Sequence, residues 1–115
     1  MKIWIDGSGW NGRRCGWLFC TEGGEVKSQF YDTPFTNNEM EYTAMLNALE
    51  AAGEGDEILS DSALVVNQIS GKWKVREPRL FSHCSTCGAI VDRKRIKLTW
   101  IPREENKAGH LIEKA

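Results

Sequence analysis

The sequence predicts an α/β protein, a mixed sheet with helices packed on it. Three observations lead there. The first third of the chain is a series of short β-rich runs separated by glycine turns. One long helical pattern follows at residues 37–52. The next apolar run, EILS at 57–60, is continuous rather than alternating, as in a buried parallel strand. The resulting order, βββαβααβα, is the pattern of a sheet covered by helices.

The elements follow in order. KIWID (2–6) reads as a short strand ended by the Gly7-Ser8-Gly9 turn. RRCGWLFC (13–20) and EVKSQFYD (25–32) read as two further strands joined by a hairpin at Gly23-Gly24, so the three should form an antiparallel meander. The helix at 37–52 stops at Gly53. After EILS, SALVVNQISG reads as a short helix ending at Gly71, and 79–91 as another helix. IKLTWI (96–101) is a strand and EENKAGHLIEKA (104–115) a terminal helix.

A chain of 115 residues, 41% hydrophobic and 27% charged, fits one soluble globular domain. No apolar run approaches the roughly 20 residues that span a bilayer, so no membrane partner is expected. A near-neutral chain of this size is expected to be a monomer. After Lys2 the chain enters a short mixed segment rather than an apolar stretch, so no signal peptide is expected and the cytoplasm is the expected location. Reduced thiols at Cys15, Cys20, Cys84 and Cys87 fit that setting. Cys15 and Cys20 share one strand at odd separation and face opposite sides, which argues against a four-thiolate zinc site. His83-Cys84-x-x-Cys87 remains open as a weaker zinc motif.

The charge is unevenly spread. Residues 1–60 carry 4 Lys+Arg against 10 Asp+Glu, a balance of −6, and residues 61–115 carry 11 against 6, a balance of +5. Two solvated faces would explain this. An acidic centre beside a basic surface would explain it too, and a metal-dependent enzyme acting on a polyanion needs both.

Three carboxylates stand out. Thr36 followed by Glu39 fits a capping box, which gives Glu39 a structural task. Glu41 is different. At about 100° per residue, Met45, Ala48, Leu49 and Ala52 fall within about 80° of it, so it lies inside the apolar stripe, where a lone carboxylate is costly. A small helix rotation would let it reach water instead. Asp6 and Asp61 each follow a short apolar run. If those strands are parallel neighbours, their ends lie about 5 Å apart, at the edge where α/β sheets place their sites. Taken singly, Asp6 suits a turn and Asp61 a helix cap. Together with Glu41 they would require cations, and hard oxygen ligands select Mg²⁺ or Mn²⁺.

With these residues in hand, the sequence resembles the type 1 ribonuclease H family, in its compact archaeal-like branch. The matching blocks are IWIDGSG with a downstream CGW, TNNEMEY, SDSALVVNQISGKWKV and WIPREENKAG, in family order and covering nearly all of 1–115 as a single ribonuclease H-like domain. The resemblance implies a five-stranded mixed sheet, three strands antiparallel and the rest parallel, flanked by helices. It implies endonucleolytic hydrolysis of the RNA strand of an RNA–DNA hybrid with two Mg²⁺ (or Mn²⁺) ions per site, leaving 5′-phosphate and 3′-hydroxyl ends. Asp6, Glu41 and Asp61 match the family's first three catalytic, metal-binding carboxylates. Gly7, Ser8 and Ser62 would line the RNA strand and sense its 2′-hydroxyls. Asn37 and Asn38 match minor-groove contacts, Thr36 a DNA-phosphate contact and Trp73 an aromatic beside the DNA strand, unless Trp73 is plain packing. Lys72 and Lys74 add positive charge for the backbone.

The end of the chain departs from the family pattern. The fourth carboxylate is expected four residues after Asn106, and His110 stands there. His110 can replace the acid as metal ligand or proton carrier, Glu105 or Glu113 can swing in, or three carboxylates suffice. Nothing before KIWID suggests a separate hybrid-binding domain, and a long basic protrusion is not expected. Basic residues cluster instead at Lys72, Lys74, Arg76 and Arg79, and at Arg93, Lys94, Arg95 and Lys97, the second being either nucleic-acid-facing or a charged loop. Two alternatives stay open: a catalytically weakened nucleic-acid-binding module on the same fold, and a small zinc-binding interaction domain using His83, Cys84 and Cys87.

Overall fold

The computed structural model describes all 115 residues. Five strands, β1 (Lys2–Ser8), β2 (Cys15–Thr21), β3 (Val26–Tyr31), β4 (Glu57–Ser60) and β5 (Lys97–Trp100), form one sheet in the order β3-β2-β1-β4-β5. The first three pair antiparallel, and β4 and β5 extend the sheet in parallel. Four helices complete the fold: α1 (Asn37–Ala51), α2 (Ala63–Ile69), α3 (Phe81–Lys94) and α4 (Lys107–Lys114). This is the mixed α/β sheet that the order of elements predicts. No helix is long and apolar enough to cross a membrane.

Strand alternation sorts the core into two layers. Ile3, Ile5, Trp17 and Phe19 face α1 and α3, where Met45, Leu49 and Leu80 complete the larger cluster. Trp4, Leu18 and Leu59 point the other way and are covered by Ile101, Ala108 and Ile112. Cys15 belongs to the first layer and Cys20 to the second, the opposite-facing arrangement expected from their spacing. His83, Cys84 and Cys87 do not converge as a ligand set. The Cys84 thiol donates to the Gln68 carbonyl, and the His83 ring tilts against Tyr42. Cys87 is buried, and burial pushes its thiol up to about 12.

Boundaries move where local chemistry outweighs pattern. β1 does not stop at Asp6 but continues through Gly7 to Ser8, because β2 supplies pairing partners to its end. Asp61 does not cap α2; the Ser62 hydroxyl accepts from the Val65 amide. The terminal helix starts three residues late. Arg103–Glu105 forms a separate 3-10 turn, and the Asn106 side chain accepts from the Ala108 amide to begin α4. Helix α3 runs three residues past the expected end and finishes at Arg95 with φ 54°.

That ending explains the second basic cluster. The Lys94 ammonium donates to the carbonyls of Leu49, at 2.7 Å, Glu50, at 3.2 Å, and Ala52, at 2.8 Å. It therefore satisfies the unpaired carbonyls at the end of α1 and complements that end's negative dipole. Arg95 and Lys97 pair with Glu54 and Glu57. Replacing Lys94 by methionine keeps the apolar stem and leaves these carbonyls without their donor. Urea denaturation is expected to show a loss of about 1–3 kcal/mol, with the slope of the transition unchanged.

Candidate active site

The site lies at the carboxyl edge of β1 and β4. These strands run parallel, with Ile5 opposite Ser60, so Asp6 and Asp61 leave adjacent strand ends. Asp6 belongs to the face of the sheet covered by α4, whereas Glu41 arrives from α1 on the other face. Glycine at position 7 permits that approach. A Cβ on Gly7 would lie 2.3 Å from the Glu41 nitrogen and the Met40 carbonyl carbon, so only glycine lets the first turn of α1 rest on the strand. The Gly7 amide then donates to Glu41 Oε1 at 2.6 Å.

The helix itself is placed by its cap. The Thr36 hydroxyl accepts from the Glu39 amide while the Glu39 carboxylate accepts from the Thr36 amide, closing the capping box. Arg79 adds a 3.4 Å contact to the same Glu39 oxygen. Glu39 and Glu41 thus divide their work as helical phase predicts: one closes the helix end and the other is 5% exposed beside Asp6, itself 2% exposed.

Ligand oxygens of Asp6, Glu41 and Asp61 all lie within 4.8 Å of one another, the sole set of three such side chains in the molecule. They open onto a cavity of about 280 Å³ also lined by Ser8, Asn37, Arg103, Ile112 and Glu113. Burial pushes Glu41 well above the usual carboxylate range, and the charges of Asp6 and Asp61 push it further. Burial also raises Asp6, partly offset by Arg103. Clustered, desolvated, all-oxygen donors of this kind fit a hard divalent cation.

Three neighbours shape the cluster: Asn106 and Arg103, to which sequence reasoning gives no role, and Glu113, which it names as one acid that can swing in. Asn106, fully buried, donates both to the Ile5 carbonyl, at 2.9 Å, and to Asp61 Oδ2, at 3.0 Å, which latches the start of α4 to both strand ends. Arg103 Nη1 donates to Asp6 Oδ2 at 2.8 Å and to Asp61 Oδ2 at 3.0 Å. Its Nη2 donates to Glu113 Oε1 at 2.9 Å. The only sequence signal for Asn106 and Arg103 is their place in the last block. His110 is not brought to the cluster. It is exposed, and its Nε2 lies 2.9 Å from the Glu104 carbonyl oxygen. The acid on α4 that does reach the cavity is Glu113, one turn further on. Glu105 lies in the exposed 3-10 turn.

A second, open groove of about 530 Å³ runs beside the cavity, lined by Asn38, Lys72, Trp73, Lys74 and Arg76 among others. Backbone amides of Lys72 and Trp73 both donate to the Asn67 carbonyl, which holds this loop against α2. Trp73 is 50% exposed, so plain packing does not account for it. Asn37 and Asn38 divide the two depressions between them. Asn37 borders the acidic cavity, where its Oδ1 accepts from the Gly9 amide, and Asn38 borders the groove. Gly7 and Ser8 both line the cavity, but the amide of Gly7 is committed to Glu41.

The reverse transcriptase-like family matches residues 6–114. The bifunctional protein Rv2228c of Mycobacterium tuberculosis is 37% identical over 76 residues, 62% of this chain and 21% of its own length. Ribonuclease HI of Halobacterium salinarum is 37% identical over 71 residues, 56% of this chain and 36% of its own length. The chain thus spans well under half the length of these curated relatives. Among solved structures, the N-terminal RNase H domain of rv2228c from Mycobacterium tuberculosis superposes with a TM-score of 0.77 at 26% identity, over 98% of this chain and 95% of that one. LC11-RNase H1 in complex with an RNA/DNA hybrid superposes with a TM-score of 0.78 at 29% identity, over 99% and 94%.

The raised carboxyls set a direction for stability against pH. Folded, Asp6 and Glu41 hold their protons more tightly than in the unfolded chain. Stability from this source is therefore full below the ordinary glutamate value of 4.5 and is lost as pH rises towards the folded value. Glu41→Gln removes the charge and keeps an acceptor for the Gly7 amide. In metal-free buffer at pH 7.5 its thermal midpoint should exceed that of the wild type by several degrees, and its decline between pH 5 and 8 should be shallower.

Proposed function

The chain belongs to the reverse transcriptase-like family, among its type 1 ribonuclease H members, and from that premise we propose that it is an endonuclease cutting the RNA strand of RNA–DNA hybrids. The observation that carries this reading is the convergence of Asp6, Glu41 and Asp61 beside a basic, tryptophan-bearing groove. Two divalent ions, Mg²⁺ or Mn²⁺, held by these carboxylates would supply an activated water and neutralise the leaving 3′-oxygen, leaving 5′-phosphate and 3′-hydroxyl ends.

The chain's own residues supply binding and orientation. The RNA strand enters the acidic cavity past Ser8 and Ser62, whose hydroxyls can meet its 2′-hydroxyls. The DNA strand lies in the neighbouring groove, with Trp73 against the sugar and base edge, Lys72 and Lys74 on phosphates, and Thr36 at the helix end above them. Asn37 and Asn38 stand on the ridge between the strands and enter the minor groove. Because α1 is capped at this ridge, the spacing between the cutting site and the DNA grip is set by a rigid helix end.

A second reading has an observation in its favour. His110 is turned to the Glu104 carbonyl rather than to the carboxylates, so the cluster has three acids where the family has four. A hybrid-binding module with weakened cleavage would follow from that. A labelled RNA–DNA hybrid incubated with Mg²⁺ or Mn²⁺ separates the two. The wild type should cut it, and Asp6→Asn and Glu41→Gln should lose about 10³-fold or more in rate. Glu39→Gln should stay within about twofold, since glutamine still closes the capping box. His110→Ala should keep the wild-type rate across pH 6–9. Tight hybrid binding without cleavage in either metal would establish the second reading instead. In the same assay, replacing Lys72 and Lys74 together by alanine should raise KM and flatten its salt dependence, with kcat retained.

A further inference from the structure

Arg103 places a positive charge between two carboxylates that would hold a divalent ion, and the surrounding residues hold it there. A single nitrogen, Nη1, lies 2.8 Å from Asp6 Oδ2 and 3.0 Å from Asp61 Oδ2, between two carboxylates of the cluster. Any cation shared by those two oxygens contests that position. The floor beneath the guanidinium is Gly109. A Cβ there would lie 2.8 Å from Nη1 and 2.9 Å from Cζ. Gly109 has no positive φ that would require glycine, and glycine inside a helix costs roughly 1 kcal/mol against alanine. Gly109 leaves room for the guanidinium in its present place, and a Cβ there would oblige the end of the Arg103 side chain to shift.

The guanidinium is also far more open to solvent than the two acids it bridges. Its side chain is 48% exposed, whereas those of Asp6 and Asp61 are 3% and 12% exposed. Its other nitrogen is already bonded to Glu113, whose side chain is 62% exposed at the cavity rim. Swinging outward therefore breaks the two bonds to the buried acids while keeping the bond to the exposed one.

We propose that Arg103 is a tethered counter-cation that competes with the divalent metal for Asp6 and Asp61, and that Glu113 is the post to which it retreats when metal binds. This rests on the nuclease reading for the identity of the metal, but concerns how tightly the site takes it. Arg103 is then a positioning residue that keeps the acids neutralised and the fold intact at low metal, and sets the metal concentration at which the site fills.

The test is Mn²⁺ binding to the full chain after chelator treatment, read by the electron paramagnetic resonance signal of free Mn²⁺, with circular dichroism as the check on folding. Arg103→Gln should bind Mn²⁺ about tenfold more tightly than the wild type, as removal of one competing charge at contact distance predicts. Its metal-free thermal midpoint should fall, and the rise in midpoint on adding Mn²⁺ should be larger. Gly109→Ala, which keeps the arginine but fills its floor, should shift affinity the same way and serves if Arg103→Gln does not fold without metal. Glu113→Gln should weaken Mn²⁺ binding severalfold in the wild type and leave it unchanged in the Arg103→Gln background. Equal or weaker Mn²⁺ binding in Arg103→Gln, or in Gly109→Ala where that variant stands in, overturns the competition. Equal weakening by Glu113→Gln in both backgrounds makes Glu113 a ligand and overturns its role as a post. Cleavage of hybrid by a wild type whose Mn²⁺ affinity these variants do not alter sinks this inference alone, whereas a wild type that binds no Mn²⁺ sinks the nuclease reading as well.

Discussion

The contact on which the molecule turns is the one between Gly7 and the first turn of α1. There a helix lies so close to a strand that a Cβ on position 7 would collide with its backbone. The closeness puts the Gly7 amide on the Glu41 carboxylate and Glu41 beside Asp6. Core and site therefore share one constraint. The same seating that brings Met45 and Leu49 onto Ile3 and Ile5 drives a carboxylate into the interior. If the packing of α1 relaxed, the cluster would open, and the cluster's repulsion acts in turn on the seating of α1. Arg103 and Asn106 moderate that repulsion, one with charge and the other with two hydrogen bonds.

Much of this was legible in the sequence, because it depends on short-range rules. The mixed sheet and its antiparallel first half follow from three β-rich runs with tight turns, then isolated apolar runs between helices. The separation of Glu39 from Glu41 follows from helical phase and capping chemistry, and the structure has both the box and the inward carboxylate. The family resemblance places the fold, and the five-stranded mixed sheet agrees with it. What was not legible depends on long-range contacts or on competition between neighbours. The latch from Asn106 to Ile5 and Asp61 spans most of the chain. A count of four residues from Asn106 points to His110, but it ignores where the side chain finds its partner, which is the Glu104 carbonyl. Glu113 and Arg103 meet only because a 3-10 turn at Arg103–Glu105 folds the segment before α4 back over the cavity. The second basic cluster reads from sequence as either nucleic-acid-facing or a charged loop; the structure gives its Lys94 the carbonyls at the end of α1 instead.

The site illustrates how a small domain tolerates unfavourable chemistry. Two carboxylates almost without solvent, and a third nearby, would destabilise a fold of this size unless compensated. Compensation is local and comes from the elements that the cluster already touches: the backbone of β1, the asparagine that starts α4, and the arginine before it. No buried side-chain polar atom is left without a partner. The strain is electrostatic rather than geometric, which is the form most readily relieved by a bound cation.

Lys94 gives this arrangement its far anchor. By donating to three carbonyls at the rear of α1, it ties that helix to the end of α3, while Thr36 and Glu39 close the front. Sliding of α1 along its own axis would break the three bonds from Lys94. A shift of the Glu41 helix by a fraction of a turn towards water, which would relieve a buried acid, therefore costs those bonds. A lysine at the far end of the helix, with no hydrogen bond to the cluster, thus opposes the hydration of a buried carboxylate at its front.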